Sequence, residues 1–205
     1  MKKLFLNLMS DTIRAFIALK LPDNILSFIN KIQKNLKQYG FPVRWVKPEN
    51  IHLTLKFFGN IDKSDLSDIK AALNECSGCY SALNLFAKGI DVFPSIMRPR
   101  IMWVGVLGDT SLLLSLQNTL DKRLEESGFK KDEKPFKGHL TMGRFKDKVN
   151  NEKLIEILRK YQNVDPEAFA AKEIVLFKSD LKPQGPVYTE LFKMLLGNNN
   201  EDREK

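Results

Sequence analysis

The chain has 205 residues, 43% of them hydrophobic, and its 33 Lys and Arg against 25 Asp and Glu leave a net charge of +8 at pH 7. A chain of that length buries roughly 70% of the surface its unfolded form exposes, enough for one core or two closely packed lobes, and the composition excludes a disordered polymer. No apolar run approaches the roughly 20 residues of a membrane-spanning helix, and the opening nine residues are too short and too polar for a secretory leader, so a cytoplasmic, soluble protein is expected, with a basic surplus that suits a polyanionic partner.

In chain order, the apolar run at 14–19 has no helical period and reads as a buried strand. A helix over 23–38 follows, with Ile25, Phe28, Ile29, Ile32 and Leu36 on one stripe, Pro22 before its start and Gly40 after its end. A short strand is expected at 43–46, then a strand carrying His52, then a helix over 63–76 with Leu66, Ile69 and Leu73 in phase. Strands follow at 88–93 and 101–106. A helix opening at Asp109 or Thr110 stripes Leu113, Leu116, Leu120 and Leu124 and stops at Gly128. A strand carrying His139 comes next, then a helix over 152–162 with Leu154, Leu158 and Tyr161, and strands at 172–177 and 187–195. Residues 1–196 are read as a single bilobal domain and 197–205 as a polar, charged tail.

The chain has only two histidines, and both stand in the same local sequence. One reads Pro48-Glu-Asn-Ile-His-Leu-Thr-Leu-Lys-Phe-Phe58, the other Pro135-Phe-Lys-Gly-His-Leu-Thr-Met-Gly-Arg-Phe145. Leu and Thr after both histidines is roughly a one-in-hundreds coincidence at ordinary residue usage. The offset of 87 residues also lays 14–19 on 101–106, and the closing strands at 88–93 and 172–177 match at an offset of 84. The pattern is β-α-β-α-β, twice, an internal duplication. In such a duplicate the two histidine strands face each other across the axis and can line one groove.

On a strand, residues two apart share a face, so His52 with Thr54 and His139 with Thr141 each present an imidazole beside a hydroxyl, while Leu53, Leu55, Leu140 and Met142 point the other way. Two imidazoles near their ordinary pKa can act as general base and general acid, and two hydroxyls can donate to anionic oxygens. That set suits attack on a phosphodiester without a metal.

At these residues the sequence resembles the 2H phosphoesterase superfamily, defined by two His-x-Thr or His-x-Ser motifs, and within it the RNA 2',3'-cyclic phosphodiesterases, also called 2'-5' RNA ligases. Arg14 to Pro22, Arg44 to Gly59, Phe93 to Val106, Lys134 to Arg144 and Gly185 to Tyr188 carry the likeness. The resemblance implies an α+β fold of two pseudo-symmetric antiparallel-sheet lobes with a groove between them, hydrolysis of terminal RNA 2',3'-cyclic phosphates to 2'-phosphates with no metal and no cofactor, and reverse 2'-5' ligation as a further activity. His52 and His139 would be catalytic, with Thr54, Thr141 and Arg144 binding the substrate phosphate, and the family analogy favours His139 as base and His52 as acid. Expected partners are RNA with cyclic phosphate ends or small cyclic-phosphate nucleotides; no membrane and a monomer are expected. The alternative is a non-catalytic module of the same fold that binds nucleotides or RNA ends. The sequence departs from the family in an N-terminal extension of about a dozen residues and in Gly138, where Pro is more usual.

Other features carry less. Phe58 and Phe145 read as core, Trp45 and Trp103 as core or groove wall, and residues 130–135 as a solvated loop that could rim the groove. Cys76-Ser-Gly-Cys79 follows a helix instead of opening one and would need two more zinc ligands. Gly138 to Gly143 has P-loop spacing but continues into Arg144-Phe145 on a strand.

Overall fold

The four helices form where apolar residues recur at helical spacing. In the computed structural model, which describes residues 11–197, α1 spans Asp23–Lys37 and buries Ile25, Ile29, Ile32 and Leu36. The second helix, α2 (Leu66–Cys79), buries Ile69 and Leu73; α3 (Thr110–Glu126) buries Leu113, Leu116, Leu120 and Leu124; α4 (Asn151–Gln162) buries Leu154, Leu158 and Tyr161. The Asn150 side chain caps α4 by accepting from the Lys153 N–H at 2.9 Å. The helix expected from Lys63 begins instead as a 3-10 turn, Lys63–Asp65, fixed by a reciprocal capping box between Asp62 and Asp65, and it runs on to Cys79. Asp109 does stand at the start of α3, but its carboxylate accepts from the Asn84 N–H at 2.8 Å and ties the helix to a strand of the sheet.

The described residues also form nine strands: β1 (Thr12–Leu19), β2 (Val43–Trp45), β3 (Leu53–Asp62), β4 (Leu83–Phe93), β5 (Ile101–Gly108), β6 (His139–Phe145), β7 (Glu167–Ala171), β8 (Glu173–Lys182) and β9 (Gly185–Leu195). β7 was not expected, since Glu-Ala-Phe-Ala-Ala has no β-branched residue; it forms because the open edge of β4 supplies a partner for it over Leu83 to Ala87.

All pairings are antiparallel, in the order β7-β4-β5-β6-β3-β1-β8-β9, with β2 added on β6. That order is symmetric about its centre. β6-β5-β4 on one side corresponds to β3-β1-β8 on the other, as the duplication requires. The closing strand of each repeat crosses to the other repeat's half of the sheet: β4 pairs β5, and β8 pairs β1. The two halves of this nine-stranded sheet meet through one pair of residues, Leu53 opposite Leu140. This gives the expected α+β architecture of two antiparallel lobes, with the repeats interlocked. α1 lies against β7 and α4 against β4, whereas α2 packs on β9 and α3 packs on α2 and β3. One continuous core of buried side chains runs through both lobes.

No helix among the described residues is long and apolar enough to cross a membrane. Of the expected tail, Gly197 is tied by its N–H to the Ser77 carbonyl at 3.0 Å; residues 198–205, like 1–10, lie outside the described residues.

Candidate active site

Leu53 and Leu140, both fully buried, form the hinge pair of the two halves of the sheet and point into the helix-covered side. Antiparallel register then sets His52 opposite Thr141 and Thr54 opposite His139, all four on the other face. The four expected site residues therefore form two diagonals across a local two-fold axis, and all are half-buried. His52 immediately precedes β3 and His139 opens β6.

Each ring is held in the same way. His52 Nδ1 lies 2.8 Å from the Asn50 carbonyl and His139 Nδ1 lies 2.7 Å from the Lys137 carbonyl. A carbonyl only accepts, so each Nδ1 carries a proton and each neutral ring keeps its lone pair on Nε2, the end away from its own backbone. The Asn50 side chain donates to the Pro186 carbonyl at 2.9 Å and locks this turn to β9.

Aromatic rings bracket both imidazoles by the same rule. Phe16 stacks on His52 at 4.5 Å with Phe177 beyond it at 6.3 Å; Trp103 and Phe93 stand edge-on to His139 at 6.0 and 5.1 Å. Phe16 and Trp103 are related by the offset of 87, Phe93 and Phe177 by the offset of 84, so comparing positions at those offsets would have found these walls. Trp103 is thus groove wall as well as core. Trp45 is on the helix side beneath Lys37, and Phe58 and Phe145 pack on Phe129 and Phe41.

Both imidazoles resist protonation. Burial, foremost, brings His52 down to about 4; the Asn50 carbonyl opposes the shift and the His139 charge adds to it. His139 is lowered chiefly by burial, with the Lys137 carbonyl opposing and the Lys137 and Arg144 charges adding. Because the unfolded chain, with His near 6.5, binds more protons between pH 6.5 and 4, His52 withholds no stability above pH 6.5 but progressively costs it below. Denaturant titrations should register a loss of about 2 kcal/mol from this residue on going from pH 7 to pH 5, and a correspondingly smaller loss in a His52→Gln variant.

Arg144 reaches the site through a β-bulge. Five residues after His139, plain alternation would turn it to the helix side. Between β5 and β6 the register slips at Met142, so that Met142 and Gly143 are both buried and Arg144 returns to the face of His139 and Thr141. The first repeat has the same slip at Leu55, where Leu55 and Lys56 are buried and Phe57 is 45% exposed. Here the two-fold breaks: Phe57 stands where the second repeat has Arg144, with the Arg14 guanidinium 4.6 Å from its ring centre. Tyr188 breaks it again, set edge-on to His52 at 5.4 Å, its phenol pushed up by burial and eased by the Arg144 and Arg14 charges. The sequence shows Tyr188 without its role; only the fold brings β9 to His52.

A cavity of about 470 Å³, within the usual range for small-ligand sites, is lined by Thr54, Phe57, Gln117 and His139 and walled by residues 130–137. This loop is more than a solvated rim. The Lys56 ammonium, 3% exposed, pairs with Asp121 at 2.9 Å, donates to the Lys130 carbonyl at 2.8 Å and approaches Asp132 at 3.4 Å. Gln117 donates to Asp121 at 2.7 Å. At the loop's end the Lys137 ammonium lies 4.6 Å from the Trp103 ring centre.

Among the described residues no group of three or more His, Cys, Asp and Glu side chains is placed to hold a metal ion. Cys76 and Cys79 close α2 as free thiols, and burial pushes the Cys76 thiol up to about 12.

The family model for LigT-like phosphoesterases matches the chain twice in succession, over residues 19–103 and 107–188. A Methanothermobacter thermautotrophicus protein named RNA 2',3'-cyclic phosphodiesterase is 34% identical over 179 residues, 87% of this chain and 96% of that protein. Its namesake from Methanocaldococcus jannaschii is 37% identical over 175 residues, 85% of this chain and 96% of that protein. Among solved structures, a Thermus thermophilus protein superposes with a TM-score of 0.73 at 26% identity, covering 90% of this chain and 98% of that one. LigT of E. coli shares the fold, with a TM-score of 0.69 at 22% identity over 92% of this chain and all of that one.

Proposed function

This chain belongs to the LigT-like phosphoesterase family of the 2H superfamily, and from that premise we propose that it hydrolyses terminal RNA 2',3'-cyclic phosphates to 2'-phosphates by two-histidine acid–base catalysis. The observation that carries the reading is the reciprocal arrangement across Leu53 and Leu140: two imidazoles, each with its Nδ1 anchored and its Nε2 free, each opposite a threonine hydroxyl. The relatives named for this activity support it.

In the proposed reaction His139 Nε2 takes a proton from water as the water oxygen attacks phosphorus. The bond from phosphorus to the 3'-oxygen breaks, and His52 Nε2 delivers a proton to that oxygen, leaving a 2'-phosphate and a 3'-hydroxyl. Thr54 and Thr141 donate to the non-bridging oxygens, and the Arg144 guanidinium offsets the charge that builds there. The choice of base follows the family analogy, since the two-fold makes the reverse assignment geometrically equivalent. A 5'-hydroxyl in place of the water would give a 2'-5' linkage by the same proton transfers. The reading takes residues 1–196 as one bilobal domain acting as a monomer in the cytoplasm.

Two consequences are measurable. Protein in EDTA, given an oligonucleotide ending in 2',3'-cyclic phosphate, should open the ring; stoichiometric binding without product would favour the binding module instead. The pH dependence follows from burial. The free protein must be protonated on one imidazole and neutral on the other, with His52 near 4 and His139 below 6.5. A plot of kcat/KM should therefore be bell-shaped, peaking on the acid side of pH 6.5 and falling towards pH 8. The negative phosphate, once bound, raises both imidazoles, so the alkaline limb of kcat should lie at higher pH.

A further inference from the structure

β2 is only three residues long and, among the described residues, pairs with β6 alone. Its register sets Val43 opposite Phe145, Arg44 opposite Arg144 and Trp45 opposite Gly143. Residues directly opposite in an antiparallel pair share a face. Val43 is buried and Trp45 lies beneath Lys37 on the helix side, so Arg44 projects with Arg144 on the face that carries His139 and Thr141. Gly143 permits the close approach: a Cβ there would fall 2.4 Å from the Val43 side chain. The buried Gln33 side chain secures the junction, donating to the Val46 and Met142 carbonyls at 2.8 and 2.9 Å.

Two like charges directly opposite each other weaken a strand pair. Both guanidiniums are exposed, and among the described residues neither is ion-paired with a carboxylate. The arrangement makes physical sense when an anion lies between them, because planar guanidinium forks bind phosphate oxygens in pairs. The Arg144 charge lowers both the His139 and the Tyr188 titration, as a cation beside them must. Arg44 stands on the neighbouring strand, directly opposite Arg144.

We infer that Arg44, facing Arg144, forms a second anion site that takes the phosphodiester joining the terminal nucleotide to the rest of an RNA, so that the protein selects an RNA end over a free cyclic mononucleotide. The inference rests on the proposed activity and specifies its substrate class. A free mononucleotide has no second phosphate to place there and forgoes the contact.

The test compares kcat/KM for uridine 2',3'-cyclic phosphate with that for the dinucleotide UpU ending in 2',3'-cyclic phosphate, in EDTA at low salt, for the wild type, Arg44→Ala and Arg44→Lys. Circular dichroism checks that each variant is folded. The wild type should prefer the dinucleotide, Arg44→Ala should cut that preference about tenfold, mainly through KM, and Arg44→Lys should keep part of it. A wild type without preference overturns the inference. So does a preference that persists in Arg44→Ala, whether both substrates fall together or neither does. A wild type inactive on both substrates refutes the activity itself, and the inference falls with it.

Discussion

Replacing His52 or His139 with alanine should lower turnover of a cyclic-phosphate RNA by about 10² to 10⁴ each, with the far-ultraviolet dichroism spectrum unchanged. Each imidazole moves a proton at a defined atom, and none of the aromatic rings packed around it can substitute. The rings around His52 are Phe16, Phe177 and Tyr188, and those around His139 are Phe93 and Trp103. Phenylalanine and tryptophan cannot exchange a proton in this range, and burial keeps the Tyr188 phenol protonated. Because base and acid act in one displacement, the double variant should be little worse than the poorer single variant. Turnover that survived both substitutions would contradict the assignment.

Asp121→Ala should cost stability by about 3 kcal/mol, because it leaves the buried Lys56 ammonium with the Lys130 carbonyl and the more distant, half-exposed Asp132 carboxylate alone. Lys56 and Asp121 are 3% and 6% exposed, and they are the only charged residues among the described ones that are buried to that degree. Through the Lys130 carbonyl the pair holds the loop that walls the cavity. Removing both charges together, as Lys56→Met with Asp121→Leu, should recover most of the loss in a denaturant titration, since a buried ion pair gains little over apolar residues of similar volume. Recovery of stability without recovery of KM would separate the loop's tether from the core's packing.

The helix stripes and the His-x-Thr faces were legible in the sequence because both depend on local periodicity. The two histidine strands lie where the repeat puts them, and Leu53 and Leu140 face inward as alternation requires. The exchange of β4 and β8 between the halves of the sheet was not legible, because each repeat reads the same whichever half its closing strand joins. The bulges at Leu55 and Met142 were likewise hidden; nothing in His-Leu-Thr-Leu-Lys or His-Leu-Thr-Met-Gly marks an extra residue, which appears only against the register of β1 and β5. Arg144 could be proposed from sequence, but only the bulge explains how a residue five positions from His139 faces the same way. Tyr188 and Arg44 depend on strands that reach the site by tertiary pairing, β9 through β8 and β2 through β6.

The central claim is most directly tested by the identity of the product. An RNA with a 2',3'-cyclic phosphate end, incubated with the protein in EDTA, should yield a terminal 2'-phosphate and a free 3'-hydroxyl, distinguishable by phosphorus NMR and by resistance to a 3'-phosphatase. A 3'-phosphate, or an intact cyclic phosphate after prolonged incubation, would contradict the account.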